Sequence, residues 1–285
     1  MRILITGGVG FFGKAFAANA LQMGHVVCIY SRNEYSQFLM RQEFKDHENL
    51  RWFIGDVRDI ERLKRSMNGV ETVIHAAALK RIEVGEYCPD ELVKTNTVGA
   101  INVIEAAMQT GVKNVVALST DKAAAPYNAY GASKLLSEKL FLAANNMSGV
   151  HGTKFAVVRY GNVSGSTGSV IPTWRKLLAE GKKLTITNPN MTRYWMDIQE
   201  AVDMVAASIG RRDMAIPSLA AYRVGDLAEA MGGEIEVTGL RPGEKMHETM
   251  VSEHEYHLFG IPGPMSSDTA PRLTVEELRE RLKNV

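Results

Sequence analysis

Over the first 160 residues, six short apolar runs alternate with longer amphipathic stretches. The runs are RILIT, HVVCIY, LRWFIGD, TVIHAA, NVVALST and FAVVRY, mostly rich in Val, Ile or aromatics and bounded by Gly, Asp, Asn or charge. They show little in-and-out alternation, as strands covered on both faces do. Between them, GKAFAANALQMG, PDELVKTNTVGAINVIEAAMQTG and YGASKLLSEKLFLAANN read as helices, two of which end on Gly24 and Gly111. Such alternation predicts an α/β fold built on a doubly wound parallel sheet of the Rossmann type. After Gly161 the rhythm breaks into the glycine- and serine-rich GNVSGSTGSVIP and a mixture of short elements ending in the amphipathic TVEELRERLKN. The expected organisation is a first domain over 1–161 and a smaller lobe over 162–285 that closes on the carboxyl edge of the sheet. The boundary is soft, and the chain has room to cross back.

Bulk properties narrow the class. A formal net charge of +1 leaves no electrostatic footprint for nucleic acid or an anionic membrane. No apolar run approaches the roughly 20 residues that a membrane span requires, and the chain opens on RILIT without a stretch that reads as a signal peptide. Cys28 and Cys88 are the only cysteines, too few for a disulfide framework and suited to a reducing cytoplasm.

The turn after the first run is ITGGVGFFGKAF, which sets Gly7, Gly10 and Gly13 between a strand and a helix. Glycines there permit a tight turn and a close backbone approach, and the helix N-terminus faces a pyrophosphate. The expected ligand is a dinucleotide, with Phe11, Phe12 and Lys14 at the helix start and Ala76 and Ala77 after the fourth run as further candidate contacts. An NAD site usually carries an acid after the second strand; here Ser31-Arg32-Asn33 follows. A hydroxyl and a guanidinium suit a 2′-phosphate, so NADP is expected ahead of NAD, with Glu34 as an alternative ribose partner. Asp56 and Val57 read either as an adenine-edge contact or as a surface turn.

Tyr130 and Lys134 are four residues apart at a helix start and so share a face. An ammonium beside a phenol favours the phenolate, which can take a proton from a sugar hydroxyl as hydride leaves the same carbon. Ser119 or Thr120 can hydrogen-bond that oxygen. The neighbouring Asp121 and Lys122 are more than such an oxidation needs. An acid and an amine there can supply two further proton-transfer groups. A Lys acting as base there must be substantially neutral, for which Lys134 could supply neighbouring positive charge. His75, ending a strand, reads as a packed structural residue. His247, His254 and His257 with Glu248, Glu253 and Glu255 read as a solvated face, and no metal is expected.

On these stretches, together with YSRNE, GDVRD, HAAALK, KTN, ALSTDKA, VRYGNV, GSVIP, MTRYW and RPGEK-HE in order, the chain resembles the extended short-chain dehydrogenase/reductases. Within them it resembles the configuration-inverting UDP-N-acetylglucosamine 4,6-dehydratases, over about residues 1–250. The resemblance implies Thr120, Asp121, Lys122, Tyr130 and Lys134 as catalytic, with Asp121 the acid toward the C6 hydroxyl and Lys122 the C5 proton carrier. Retaining dehydratases carry Asp-Glu at that location. It further implies Lys80 at substrate or cofactor, Val163 near the nicotinamide, and Asn162, Arg193, Arg241 and Glu244 on the UDP-sugar. The implied partner is a second copy of the chain, as a dimer or hexamer. Three positions depart from the family pattern: Phe11 for Ser, Ala125 for Asn and Thr167 for Arg. The last leaves sugar and nucleotide specificity open. A nucleotide-sugar 4-epimerase, a dehydratase stopping at a 5,6-unsaturated product, and a non-enzymatic NADP sensor are the competing readings.

Overall fold

The computed structural model describes every residue of the chain except 151 and 242. All six apolar runs are strands: β1 (Arg2–Thr6), β2 (Val26–Ser31), β3 (Leu50–Ile54), β4 (Thr72–His75), β5 (Asn114–Leu118) and β6 (Lys154–Val158). Helices α1 (Phe11–Gln22), α2 (Glu34–Glu43) and α3 (Ile60–Met67) join the first four, and α4 (Ile82–Tyr87), α5 (Pro89–Leu92) and α6 (Gly99–Thr110) lead to β5. Helix α7 (Ala129–Ser148) then leads to β6. Beyond it lie α8 (Val170–Ala179), β7 (Leu184–Ile186), β8 (Thr192–Tyr194), α9 (Ile198–Ala207), β9 (Met214–Ala215), β10 (Ala221–Arg223), α10 (Val224–Met231), β11 (Ile235–Val237), β12 (Thr249–Val251), β13 (Met265–Ser266) and α11 (Val275–Leu282).

The main sheet is parallel, in the order β3-β2-β1-β4-β5-β6-β9. Alternate residues of each strand serve opposite faces. Ile3 and Ile5 pack with Phe16, Ala17 and Ala20 of α1 and Ala201, Val202 and Val205 of α9. Leu4 faces the other way, toward the layer of Leu63, Met67, Val103 and Phe141 from α3, α6 and α7. Helix α9 and strand β9 therefore return to the first layer from beyond residue 161. The remaining C-terminal elements enclose their own core around Trp174, Trp195, Tyr222, Leu227 and Leu278.

One long helix was expected over 89–111, and the structure breaks it with a π-helical turn at Val93–Val98. The wider turn carries Asn96, whose amide accepts from Leu79 N at 2.8 Å and donates to Leu79 O at 2.9 Å. The loop after β4 is thereby pinned at the site, a use of π-turns seen elsewhere. The strand order reverses between β1 and β4, and at such a switch point an open α/β sheet has its cleft.

Candidate active site

A cleft of about 850 Å³ opens over the carboxyl ends of the strands. One side is the glycine turn. Gly7 has φ +68°, and a Cβ there would lie 2.9 Å from Ala77; a Cβ at Gly13 would meet Gly8 at 2.6 Å. Both contacts need hydrogen in place of a side chain. Helix α1 begins at Gly10 with no side-chain cap and no acid in its first turn. Its first N–H groups and its dipole are left for an anion. This cradle fits a dinucleotide pyrophosphate. Lys14, expected there, does not line the cleft: its ammonium pairs with Glu43 of α2. The position points along the outside of the helix once the first turn is made.

At the far end of this cradle, Ser31, Arg32, Asp56 and Val57 line the rim. Ser31 is buried, its Oγ accepting from Gln37 Nε2 at 3.0 Å, while Arg32 is half exposed. Arg58 donates to Asp56 through Nε (3.0 Å) and Nη2 (2.8 Å), and Arg32 Nη1 lies 3.5 Å away. Burial works against the ionised carboxyl, but the Arg58 bonds and the Arg32 charge hold it below its usual value.

The 119–134 stretch sits at the centre. Asn128 caps α7, its side chain accepting from Gly131 N at 2.8 Å and donating to Gly243 O at 2.9 Å. One residue thus starts the helix and ties it to the RPGEK loop, of which Pro242 lies outside the described residues. Gly131 lets the turn at 121–123 lie directly on the helix, since a Cβ there would run into the Lys122 carbonyl. That turn brings Thr120, Asp121 and Lys122 to the same cleft as Tyr130 and Lys134. Ala76, Ala77, Lys80, Asn162, Val163, Arg193, Arg241 and Glu244 line it as well.

Protonation departs from what spacing predicts. Lys134 Nζ is buried and donates to Leu118 O at 2.7 Å; burial lowers its pKa to about 8, against the pull of Glu138. Burial pushes the Tyr130 phenol up, with Lys122 and Thr120 opposing, so in this state the phenol is not predisposed to ionise. Lys122 is not the neutral amine expected. Burial works against its charge, yet Asp121 and Glu248 outweigh that and raise it above the ordinary lysine value. Its Nζ is 3.0 Å from Asp121 Oδ1 and 3.0 Å from Glu248 Oε1. Asp121, fully buried, also accepts from Thr120 Oγ1 at 2.9 Å. Burial raises the Asp121 carboxyl; Lys122 opposes and Glu248 adds to the rise.

A family model described as polysaccharide biosynthesis protein matches residues 3–259. The chain belongs to that family. Relatives of the polysaccharide biosynthesis protein family that it resembles carry different names, a dehydratase and an epimerase among them. It is 47% identical over 264 residues to the UDP-N-acetylglucosamine 4,6-dehydratase (inverting) of Campylobacter jejuni, covering 90% of this chain and 79% of that protein. It is 41% identical over 267 residues to the UDP-glucose 4-epimerase of Rickettsia conorii, covering 89% and 78%. Among solved structures, Pen from Bacillus thuringiensis superposes with a TM-score of 0.94 at 36% identity over 100% of this chain and 98% of that one. The dTDP-glucose 4,6-dehydratase DesIV of Streptomyces venezuelae, solved with NAD and TYD bound, has a TM-score of 0.80 at 22% identity over 98% and 97%, a likeness of fold.

In this member of the polysaccharide biosynthesis protein family, several expected substrate residues are already engaged. Arg193 donates to the carbonyls of Thr192 (2.7 Å), Lys245 (3.0 Å) and Met246 (3.2 Å), so it also holds the 245–248 segment. Arg241 pairs with Glu244 at 2.6 Å and Glu83 at 2.9 Å. Asn162 Oδ1, Ser119 Oγ and Ser169 Oγ are buried in the cleft without partners among the described residues, which suits a polar ligand. Glu248 and Glu255, read from the sequence as part of a solvated face, are instead buried, Glu248 against Lys122 and Glu255 against Arg159, because the tertiary fold brings cations from elsewhere in the chain onto them. His247 shares a hydrogen bond with Thr192 (2.8 Å), and Glu255 binds Arg159. Among the described residues, no group of His, Cys, Asp and Glu is arranged to hold a metal. His75 lies outside the cleft lining, its Nδ1 2.8 Å from Thr6 Oγ1.

Proposed function

We propose that the chain is an NADP-dependent, configuration-inverting 4,6-dehydratase that converts UDP-N-acetylglucosamine to UDP-2-acetamido-2,6-dideoxy-L-arabino-hexos-4-ulose. The observation that carries this reading is the buried Asp121–Lys122 pair in the cleft beside Tyr130. An epimerase has no use for two further proton-transfer groups, whereas elimination across C5 and C6 needs both. The relatives named for dehydration are also the more similar in sequence.

Gly7, Gly10, Phe11, Phe12 and Gly13 would hold the cofactor pyrophosphate, Ser31 and Arg32 its 2′-phosphate, and Ala76, Ala77 and Val163 its nicotinamide side. Bound there, NADP would supply the hydride acceptor for C4 of the sugar and the hydride donor for C6. Tyr130 acts as its phenolate, which Lys122 and Thr120 favour against burial, and accepts the proton of the C4 hydroxyl with Lys134 assisting. Asp121, whose carboxyl burial raises, acts as the acid that gives a proton to the departing C6 hydroxyl. Lys122 carries the C5 proton and returns it to the face that inverts the centre. Lys80, Asn162, Arg193, Arg241 and Glu244 hold the UDP-sugar, with cations at the diphosphate and polar groups at the hydroxyls. No helix among the described residues is long and apolar enough to cross a membrane, and a cytoplasmic enzyme is the reading this supports. Ile101 on α6 and Leu136 on α7 stay exposed and support a homo-oligomer formed through those helices; light scattering of wild type and Leu136→Glu tests it, a monomeric variant being expected.

Purified protein incubated with UDP-N-acetylglucosamine and catalytic NADP in deuterated water is to be followed by proton NMR. A new 6-methyl signal, a C4 ketone or its hydrate, deuterium at C5 and L-arabino couplings are expected. A C4 epimer free of solvent deuterium would instead establish the epimerase.

A further inference from the structure

Lys122 is an ammonium held between the carboxyl groups of Asp121 and Glu248, and an ammonium has no lone pair with which to take a proton from C5. It must first give a proton up. In the dehydratase reading Asp121 is committed to the C6 hydroxyl, to which it must bring a proton, and is not the acceptor. The other carboxylate in contact is Glu248, whose Oε1 is 3.0 Å from Lys122 Nζ. We propose that Glu248 is the positioning residue for the C5 proton, accepting one proton from Lys122 to free the amine and returning it after C5 is reprotonated. This rests on the dehydratase reading.

The surroundings of Glu248 fit the role. The carboxylate is 3% exposed, and its Oε2 has no partner among the described residues. Its backbone is clamped: Glu248 N donates to Ser267 Oγ at 2.8 Å, and Ser267 N donates to Glu248 O at 2.8 Å. Two residues on, Met250 O accepts from Arg159 Nη1 at 2.9 Å. The charged groups facing it are Lys122, Arg193 (Nε at 3.5 Å) and Lys245, with Asp121 beyond Lys122. Burial would raise the Glu248 carboxyl, but these cations outweigh it and keep it ionised at rest, with a lone pair facing Lys122.

The proton account closes. Transfer from Lys122 Nζ to Glu248 Oε1 leaves an amine and a neutral carboxyl. The amine lone pair takes the C5 proton, the C5–H electron pair forms the C5–C6 double bond, and the C6–O bond breaks. The oxygen leaves as water with the Asp121 proton. As the hydride removed from C4 is added back at C6, the C5–C6 electron pair takes a proton at C5 from Lys122, and Glu248 gives its proton back to the amine. The proton taken from the C4 hydroxyl by Tyr130 balances the one lost from Asp121.

Glu248→Gln keeps the size and removes the acceptor. In single turnover with NADP and UDP-N-acetylglucosamine, the variant is expected to bind the sugar and to develop reduced-nicotinamide absorbance as wild type does. Product formation and deuterium incorporation at C5 should fall about a hundredfold or more, the scale of a lost proton-transfer group. Glu248→Asp should recover part of the loss. Turnover of Glu248→Gln within about threefold of wild type would overturn the proposal, and so would a parallel loss of sugar binding and C4 oxidation, which marks a structural role. A wild-type protein that oxidises C4 but never exchanges C5 would overturn the dehydratase reading itself.

Discussion

Arg159 closes on Glu138 with two hydrogen bonds, Nε to Oε1 at 2.9 Å and Nη2 to Oε2 at 2.6 Å, and both side chains are 1% exposed. The same guanidinium reaches Glu255 at 2.6 Å and the Met250 carbonyl. Strand β6, the helix that carries Tyr130 and the segment that carries Glu248 are thus fastened at one point. Removing one partner of a buried pair strands the other charge, at a cost of about 3–5 kcal/mol. Arg159→Met should therefore lower the urea midpoint by that equivalent, read by equilibrium unfolding. A midpoint close to wild type would show that the network adds little to stability.

The glycine turn predicts a different failure. Gly13→Ala puts a Cβ 2.6 Å from Gly8, and overpacking of this kind costs about 1–3 kcal/mol. The expected result is a lower melting temperature together with weaker NADP binding by calorimetry, because α1 must move away from the pyrophosphate turn.

Arg32 is expected to discriminate between cofactors. A hydrogen bond to a charged group contributes about 1.5–3 kcal/mol, so Arg32→Ala should weaken NADP roughly tenfold to a hundredfold and leave NAD almost unchanged. Direct titration of both cofactors decides it. Equal losses would assign Arg32 to holding Asp56 rather than a 2′-phosphate.

Tyr130→Phe removes the hydroxyl and little else. A drop in turnover of about a hundredfold to ten-thousandfold is expected, with NADP affinity retained. Single-turnover absorbance should show no C4 oxidation, which separates this variant from Glu248→Gln.

His75 sets an acid limit. Burial, with the Lys134 charge behind it, lowers the imidazole to about 3 from an ordinary 6.5. Between those values the unfolded chain binds a proton that the folded protein refuses. The contribution to stability is complete above about pH 6.5 and is lost as pH falls toward 3. The unfolding free energy of wild type relative to His75→Asn should shrink steadily over that window. A difference independent of pH would remove His75 as the cause.

The sequence by itself determined the six strands of the main sheet, the glycine turn and the nearness of Tyr130, Lys134, Asp121 and Lys122. These are encoded locally: apolar runs of strand length, glycines where a Cβ has no room, and a four-residue helical spacing. The tertiary structure decided what the local pattern does not carry. It returned α9 and β9 to the first layer, turned Lys14 outward to Glu43, and spent the donors of Arg193 on the 245–246 carbonyls. It also set the protonation states. Burial raises the Asp121 carboxyl, with Glu248 adding to the rise, and Asp121 and Glu248, far along the chain, hold Lys122 charged against its burial. Burial and charge–charge contact depend on distance in space, and neither can be read from neighbours in sequence.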